Sequence, residues 1–371
     1  MKILCVNESQ SLNLGDQLIN KGLKNLLNNE VDSINISNLP FSFSPSTGQK
    51  KDNSRKNFFK SLYNLKPIKK ILLPIRSIVF NIKRLSLLKY EIKKNDFILF
   101  GGGSLLINNS LVFPINLFFI TFLCKIYQKP YGFAGISCRN IQNKLAKFLI
   151  KSSIKNAKFI YMRDFLSCQI ILQQYNISTS YIPDLALYIG LQNIEIESNH
   201  NIAINIMGKQ SHGFFSNNNN FYNYIRNIIN FIYNSSFNEY HLFTTGEKSD
   251  FDAIQILISL LPLHTSKNIT ISQYPISINE VEHKYKEYEY FLCTRLHSAI
   301  IALSYGKKFI TFNWDKKIEG FMNTYNLTFS LFNSSTNFEK YFPLFSSRVT
   351  IDKSLYLPLI NSLKENISTK S

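Results

Sequence analysis

Short apolar runs alternate with stretches of helical period along most of the chain. Ile3 to Val6 predicts a strand, and Asp16 to Leu27 a helix with Leu18, Ile19, Leu23, Leu26 and Leu27 on one face. Val31 to Ile36 predicts a second strand. After a basic stretch come strand Asp96 to Phe100, helix Leu111 to Tyr127, strand Tyr131 to Ile136 and helix Ile141 to Ile154. Strand Phe159 to Met162, helix Asp164 to Tyr175 and a short strand at Ser180 to Ile182 close this half. A second series starts afresh. Ile202 to Met207, Tyr240 to Thr244, Ile269 to Gln273, Tyr290 to Cys293 and Phe309 to Phe312 predict strands. Helices are expected between them over Phe221 to Tyr233, Phe251 to Leu261, Ile278 to Tyr285 and Ser298 to Ser304.

Strands alternating with helices argue for parallel sheets joined by crossover helices. The junction Leu191 to Asn201 is polar and has no period, so the boundary is expected there. The expectation is an α/β chain of two doubly wound, Rossmann-like domains facing a cleft, a GT-B-like architecture. Residues 1–190 form the first domain, 200–345 the second, and 346–371 a C-terminal tail or helix. Ligands of such sheets bind at the carboxyl ends of the strands, which directs attention to residues just after each strand.

Composition narrows the class. Of 371 residues 45% are hydrophobic, the usual share for a globular chain. Cys5, Cys124, Cys138, Cys168 and Cys293 form an odd set without a Cys-x-x-Cys pair, which fits buried thiols in a reducing cytosol rather than a disulfide framework. The apolar run at the N-terminus is too short for a signal peptide. The most apolar window, Leu111 to Cys124, contains Pro114 and Asn116 and falls short of the roughly 20 residues that a membrane span needs. A cytoplasmic protein is expected. Neither a His-Glu-x-x-His pair nor other metal-ligand spacing occurs, so no metal and no bound cofactor are expected.

The formal charge of +18 asks for a partner, and it is unevenly spread. Between Lys50 and Lys94 stand fourteen Lys or Arg against Asp52 and Glu91, a net of +12. This basic insertion, about 41–94, divides in two. Phe41 to Lys60 is polar with Pro and Ser, a loop. Ile71 to Leu88 mixes Ile, Leu, Val and Phe with Arg76, Lys83, Arg84 and Lys89, the composition of a basic amphipathic helix. Two readings stand: a solvated excursion on its own domain, or a helix resting on an anionic membrane surface. The segment lacks the interleaved aromatics of a stacking platform, so nucleic acid is not expected.

Candidate chemistry gathers where strands end. Asn13-Leu14-Gly15-Asp16 joins the first strand to the first helix, with Gly15 suited to a tight turn and Asp16 to capping. Gly101-Gly102-Gly103-Ser104 follows strand Asp96 to Phe100, where bare backbone suits an anion or a hydroxyl. Arg163-Asp164 ends another strand. Asp164, with Ser167 three residues on, reads as a helix cap, while Arg163 suits a carboxylate or phosphate. Arg295-Leu296-His297 is the most informative. In extended chain residues two apart share a face, so Arg295 and His297 are expected to converge on one ligand while Leu296 anchors inward. Trp314-Asp315-Lys316-Lys317 ends a further strand, and His212 lies in a loop at a comparable place. Asp250-Phe251-Asp252 reads as a helix opening.

Together these segments resemble the polysaccharide pyruvyl transferase family. Asn13-Leu14-Gly15-Asp16, Gly101-Gly102-Gly103-Ser104, Arg163-Asp164 with Ser167, and Pro183-Asp184 stand in the family's order. Arg295-Leu296-His297 and Trp314-x-x-Lys317-x-x-Gly320-Phe321 follow. The resemblance covers about residues 3–325 and departs at Met207-Gly208-Lys209, where members often carry arginine, and at Trp314, where tyrosine is common. It implies a GT-B-like fold and transfer of pyruvate from phosphoenolpyruvate, a co-substrate, to two hydroxyls of one sugar, forming a cyclic ketal. The acceptor it implies is a sugar of an exopolysaccharide, capsule or other surface polymer, or of its polyprenyl-linked precursor. Such a precursor would place the enzyme at the inner face of the cytoplasmic membrane. Carried over residue by residue, Arg163, His297 and Lys317 match donor-binding or activating positions, flanked by Arg295. Asn13, Gly15, Gly101, Gly102, Gly103 and Ser104 are expected to line the substrate, with His297 as the expected proton donor and Asp16 or Asp184 as the expected acceptor. A GT-B glycosyltransferase using a nucleotide sugar fits the same fold, and a non-catalytic basic binding protein is the reading from another class.

Overall fold

Runs rich in Ile, Val, Phe and Tyr become buried parallel strands, and the amphipathic stretches between them become the crossovers. The computed structural model describes residues 1–11, 13–41, 66–108, 110–191, 200–209, 218–245, 248–262, 266–274, 277–332, 345, 349 and 351–368. By contacts the chain divides into unit 1, Met1–Ser11 with Leu23–Asp184 and Ser354–Ser371, and unit 2, Leu12–Gly22 with Leu185–Lys353.

Unit 1 is built on β1 (Lys2–Asn7), β2 (Asn35–Pro40), β3 (Phe97–Leu106), β4 (Tyr131–Cys138), β5 (Ile160–Met162) and β6 (Ser180–Tyr181). They form one sheet in the order β2-β1-β3-β4-β5-β6, every described pairing parallel. Its helices are α1 (Leu14–Glu30), α2 (Lys66–Lys83), α3 (Leu85–Lys94), α4 (Val112–Ile126), α5 (Lys144–Ile154) and α6 (Phe165–Tyr175). Strands of a parallel sheet are apolar on both faces, and here Phe100, Phe133, Ile98 and Ile136 are fully buried with Leu117, Ile120 and Ile150 of the covering helices.

Unit 2 holds β7 (Asn201–Asn205), β8 (Glu239–Phe243), β9 (Ile269–Ile271), β10 (Tyr290–Cys293), β11 (Lys308–Phe312) and β12 (Leu331–Phe332). Their order is β12-β11-β10-β7-β8-β9. Its helices are α7 (Asn218–Asn234), α8 (Lys248–Leu260), α9 (Ile278–Glu287), α10 (Leu296–Ser304) and α11 (Lys316–Thr324). A separate core of Ile204, Leu242, Leu292, Ile310, Tyr224 and Ile228 closes over this sheet. The α/β class with two doubly wound sheets is what the pattern of apolar runs predicts.

Four local differences have physical reasons. The second strand starts at Asn35 rather than Val31 because α1 runs on to Glu30, the Val31 N–H still bonds Leu27 O, and Ser33 turns the chain at φ 55°. The contact boundary falls at 184/185, ahead of the polar junction at 191–201. Residues Leu185–Ile189 form a buried 3-10 turn packed on α10, so apolar chain already groups with unit 2 before the polar stretch is reached. The first half of α1 also groups with unit 2, which no local pattern signals. Lastly, the C-terminal segment carries α12 (Leu357–Ser368) and groups with unit 1, where the Tyr161 hydroxyl contacts Pro358 O (2.9 Å) and Ser362 Oγ (2.8 Å). The loop expected over Phe41 to Lys60 lies, beyond Phe41, outside the described residues, as does His212.

Among the described residues no helix is long and apolar enough to cross a membrane. The cysteines are free thiols, and burial pushes Cys5, Cys124, Cys138 and Cys293 up to about 12, so these four stay protonated and inert.

Candidate active site

In each sheet the strand order reverses once, between β1 and β3 in unit 1 and between β7 and β10 in unit 2. The carboxyl ends flanking such a reversal are where doubly wound sheets bind ligands, because crossover helices depart to opposite faces and leave a crevice. The candidate residues fall in two sets, in unit 2 at or beside the reversal and in unit 1 within β3 and after β5 and β6.

In unit 2, β7 ends at Asn205 and β10 at Cys293, side by side. Buried Asn205 knits the two ends together. Its carbonyl accepts the Thr294 hydroxyl (2.7 Å), and its Oδ1 accepts the Arg295 N–H (3.1 Å). Arg295 is the N-cap of α10 (φ −105°, ψ 143°), so Leu296 and His297 are already helical. This corrects the extended reading of the tripeptide, and Leu296 is half-exposed rather than an inward anchor. The two side chains instead have different partners. Arg295 donates from Nε (2.9 Å) and Nη2 (2.5 Å) to the two oxygens of Asp250, which is fully buried. Asp250 also accepts the Gly208 N–H at 2.7 Å. His297 lies against the first turn of α1: a Cβ built on Gly15 would sit 2.1 Å from Nδ1 and 2.5 Å from Cγ of its ring. The imidazole therefore rests on bare backbone that only glycine provides.

That first turn is ordered by Asn13. Its Oδ1 accepts the Gly15 N–H (2.9 Å), and its carbonyl accepts the Asp16 N–H (3.1 Å). Asn13 is thus the cap, and Asp16 stands inside the first turn, half-buried, beside Gly15. Asp315 caps α11 by accepting the Lys317 N–H (2.9 Å), which fixes Lys317 in the opening turn. Trp314 donates its indole N–H to Thr294 O (2.6 Å), so the Trp314-x-x-Lys317 segment is tied directly to the strand end that carries Arg295.

Unit 1 holds the other set. The glycine triplet does not follow β3 but lies within it, buried, because the strand continues to Leu106. Gly102 (φ 73°) and Gly103 (φ 77°) take the left-handed conformation, and the pairing with β4 shifts register after Gly103. A bulge of this kind re-aims side chains at a sheet's working end. Ser104 then shares a hydrogen bond with Ser137 (2.9 Å) and receives a long one from Arg163 Nη2 (3.4 Å). Arg163 Nη1 donates to Asp184 Oδ2 at 2.7 Å, both side chains being nearly buried. The Asp184 carbonyl takes the Tyr356 hydroxyl (2.8 Å). Asp164 caps α6 through the Ser167 N–H (2.7 Å), as the spacing predicts.

Asp250 and Asn205 are the residues that sequence reasoning passed over. Asp250 had a visible signal in Asp250-Phe251-Asp252, read only as a helix opening; Asn205 had none. Among the described residues no group of three or more His, Cys, Asp or Glu is placed to hold a metal ion.

Two parallel, doubly wound six-stranded sheets define a two-domain Rossmann-like, GT-B-like α/β fold. In fold the chain is similar to MnaA of S. aureus, solved with UDP, at a TM-score of 0.54. The two share 10% identity over 99% of this chain and 97% of that one. UDP-GlcNAc 2-epimerase of Methanocaldococcus jannaschii also gives 0.54, at 10% identity over 98% of this chain and 100% of the other. No curated protein matches the sequence. The family model "Polysaccharide pyruvyl transferase" matches residues 13–316, from Asn13 to Lys316. The chain belongs to the polysaccharide pyruvyl transferase family, a family of transferases acting in polysaccharide biosynthesis.

Proposed function

We propose that this protein transfers pyruvate from phosphoenolpyruvate to two hydroxyls of one sugar in a surface polysaccharide or its lipid-linked precursor. The observation that carries the reading is the seating of His297 on Gly15, one residue from Asp16, inside the family-matched region. In this reading His297 is the proton donor and Asp16, the residue after Gly15, the carboxylate that works with it. His297 protonates the methylene carbon of the enol while a sugar hydroxyl adds to the central carbon, and Asp16 takes that hydroxyl's proton. The phosphate leaves as inorganic phosphate, and the second hydroxyl closes the ketal, losing its proton. Asp184 is the less available of the two carboxylates considered, because its Oδ2 is already engaged by Arg163 at 2.7 Å. Lys317 and Arg295 supply positive charge for the donor's phosphate and carboxylate. Arg163, Ser104 and the glycines of β3 are proposed as further substrate contacts.

The test is inorganic phosphate release from phosphoenolpyruvate with a panel of hexose and aminohexose glycosides. Wild type is expected to turn over at least one of them. His297→Ala is expected to lose about 100-fold or more in kcat while keeping its unfolding midpoint, the typical worth of a general acid. Activity within threefold of wild type removes His297 as proton donor. Release of UDP from a UDP-sugar, with none of phosphate from phosphoenolpyruvate, replaces this reading by nucleotide-sugar transfer.

A further inference from the structure

Helix α2 is built inside out. On an ordinary surface helix the apolar stripe faces the core and the polar one faces water. Here the buried side carries Ser77 and Asn81, with Arg84 immediately after the helix. These groups form a closed hydrogen-bond network. The Ser77 hydroxyl (2.7 Å) and Asn81 Nδ2 (2.6 Å) both donate to Asn116 Oδ1 of α4. Arg84 donates to Pro40 O (2.7 Å), Phe41 O (3.2 Å) and Asn81 Oδ1 (2.9 Å). Burial lowers the Arg84 guanidinium to about 10, still charged at neutral pH. A network with its partners supplied makes burial of a polar face tolerable.

The opposite face is apolar and open. Leu72, Ile75, Ile78, Val79 and Ile82 recur at steps of three and four along one side and are 37–58% exposed. Leu87 and Tyr90 on α3 extend the exposed apolar set. A run of five large aliphatic side chains in water is not a neutral feature of a surface, because each forgoes burial it would otherwise gain. The charges around it indicate what covers it. Arg76 and Lys83 flank the stripe on α2, and Lys89, Lys93 and Lys94 are exposed on α3. From Lys66 to Lys94 the chain has nine Lys or Arg and a single acid, Glu91.

We infer that the α2–α3 segment is a membrane-docking element that lays its aliphatic stripe into the headgroup boundary of an anionic lipid leaflet. Branched aliphatic side chains dip below the headgroups, while flanking Arg and Lys reach anionic phosphates, the division of labour of interfacial helices. A second copy of the chain is a poorer occupant, since pairing this face with itself opposes like charges. A nucleic acid would leave the aliphatic stripe without stacking partners. The inference stands apart from the identity of the donor, so the two fail separately.

The experiment is co-sedimentation of the full chain with vesicles of phosphatidylcholine alone and of phosphatidylcholine mixed with phosphatidylglycerol, across a salt series. Binding is expected to the anionic vesicles and to fall with salt. Arg76→Gln/Lys83→Gln/Lys89→Gln is expected to weaken it roughly 100-fold, about fivefold per charge. Ile75→Ser/Ile82→Ser is expected to abolish binding even at low salt, and both variants should keep the wild-type unfolding midpoint because every altered side chain is exposed. Equal binding to neutral vesicles, no binding to either, or retention in both variants overturns the inference. So does a dimer in sedimentation velocity that the two serines dissociate, with no lipid binding, since a second copy then covers the face.

Discussion

Two arginines stand at the ends of parallel strands against buried aspartates, and the two units build these pairs differently. In unit 1, Arg163 meets Asp184 through one amino group and turns the other toward Ser104. In unit 2, Arg295 spans both oxygens of Asp250 with two nitrogens, and the same carboxylate holds the Gly208 N–H. A bidentate fork has a fixed orientation, whereas a single contact can pivot. Asp250 therefore ties the turn after β7 to the opening of α10, which carries His297. The pair in unit 1 is joined through one guanidinium nitrogen, with the other directed at Ser104.

The largest expected effect breaks the stronger pair. Asp250→Ala strips Arg295 and Gly208 of their acceptor together and should cost about 3–5 kcal/mol in urea unfolding, the range for breaking a buried ion pair. Asp184→Ala should cost clearly less, and equal losses would erase the distinction drawn between the units.

Acid should weaken unit 2 through His241. Its ring nitrogens lie 2.7 Å from Thr270 Oγ1 and from Ser272 Oγ, and burial holds it down to about 4 from 6.5, with Lys284 adding to the effect. Between those values the unfolded chain binds more protons than the folded one. The contribution, up to about 3 kcal/mol, is thus complete above about pH 6.5 and is lost as pH falls toward 4. A stability–pH curve should show this slope in wild type and a shallower one in His241→Gln. The same slope in both would clear His241.

The smallest change in stability should accompany a sharp change in activity. Gly15→Ala suits a helical first turn, so the fold should hold to within about 1 kcal/mol. Its methyl group nevertheless occupies the place of the His297 ring. The variant should therefore lose activity on the order of 100-fold, matching His297→Ala, with no further loss in the double variant. Additive losses would mean that Gly15 serves something other than the seat of the imidazole.

Much of the fold was legible because local chemistry and tertiary structure agreed. Strands β4, β8, β10 and β11 fall within a residue or two of the apolar runs that predict them, and Asp164 caps α6 at the expected spacing. The strand-end rule led to Arg163, Arg295 and His297 without knowledge of their partners. The partners themselves were not legible. Asp250 is 45 residues from Arg295, and Gly15 is 282 from His297, and no local pattern encodes which distant backbone a side chain will touch.

The glycine triplet shows the same limit in a strand, since composition announces permissive backbone but not whether it lies after β3 or inside it. Helix α2 shows it most sharply. Its composition announced, from sequence alone, a helix that mixes aliphatic with polar and basic side chains. Which of these turn inward was decided only by tertiary structure. Asn116 on α4 and the carbonyls of Pro40 and Phe41 stand ready to satisfy Ser77, Asn81 and Arg84, so the polar side goes to the core and the aliphatic side is left outward.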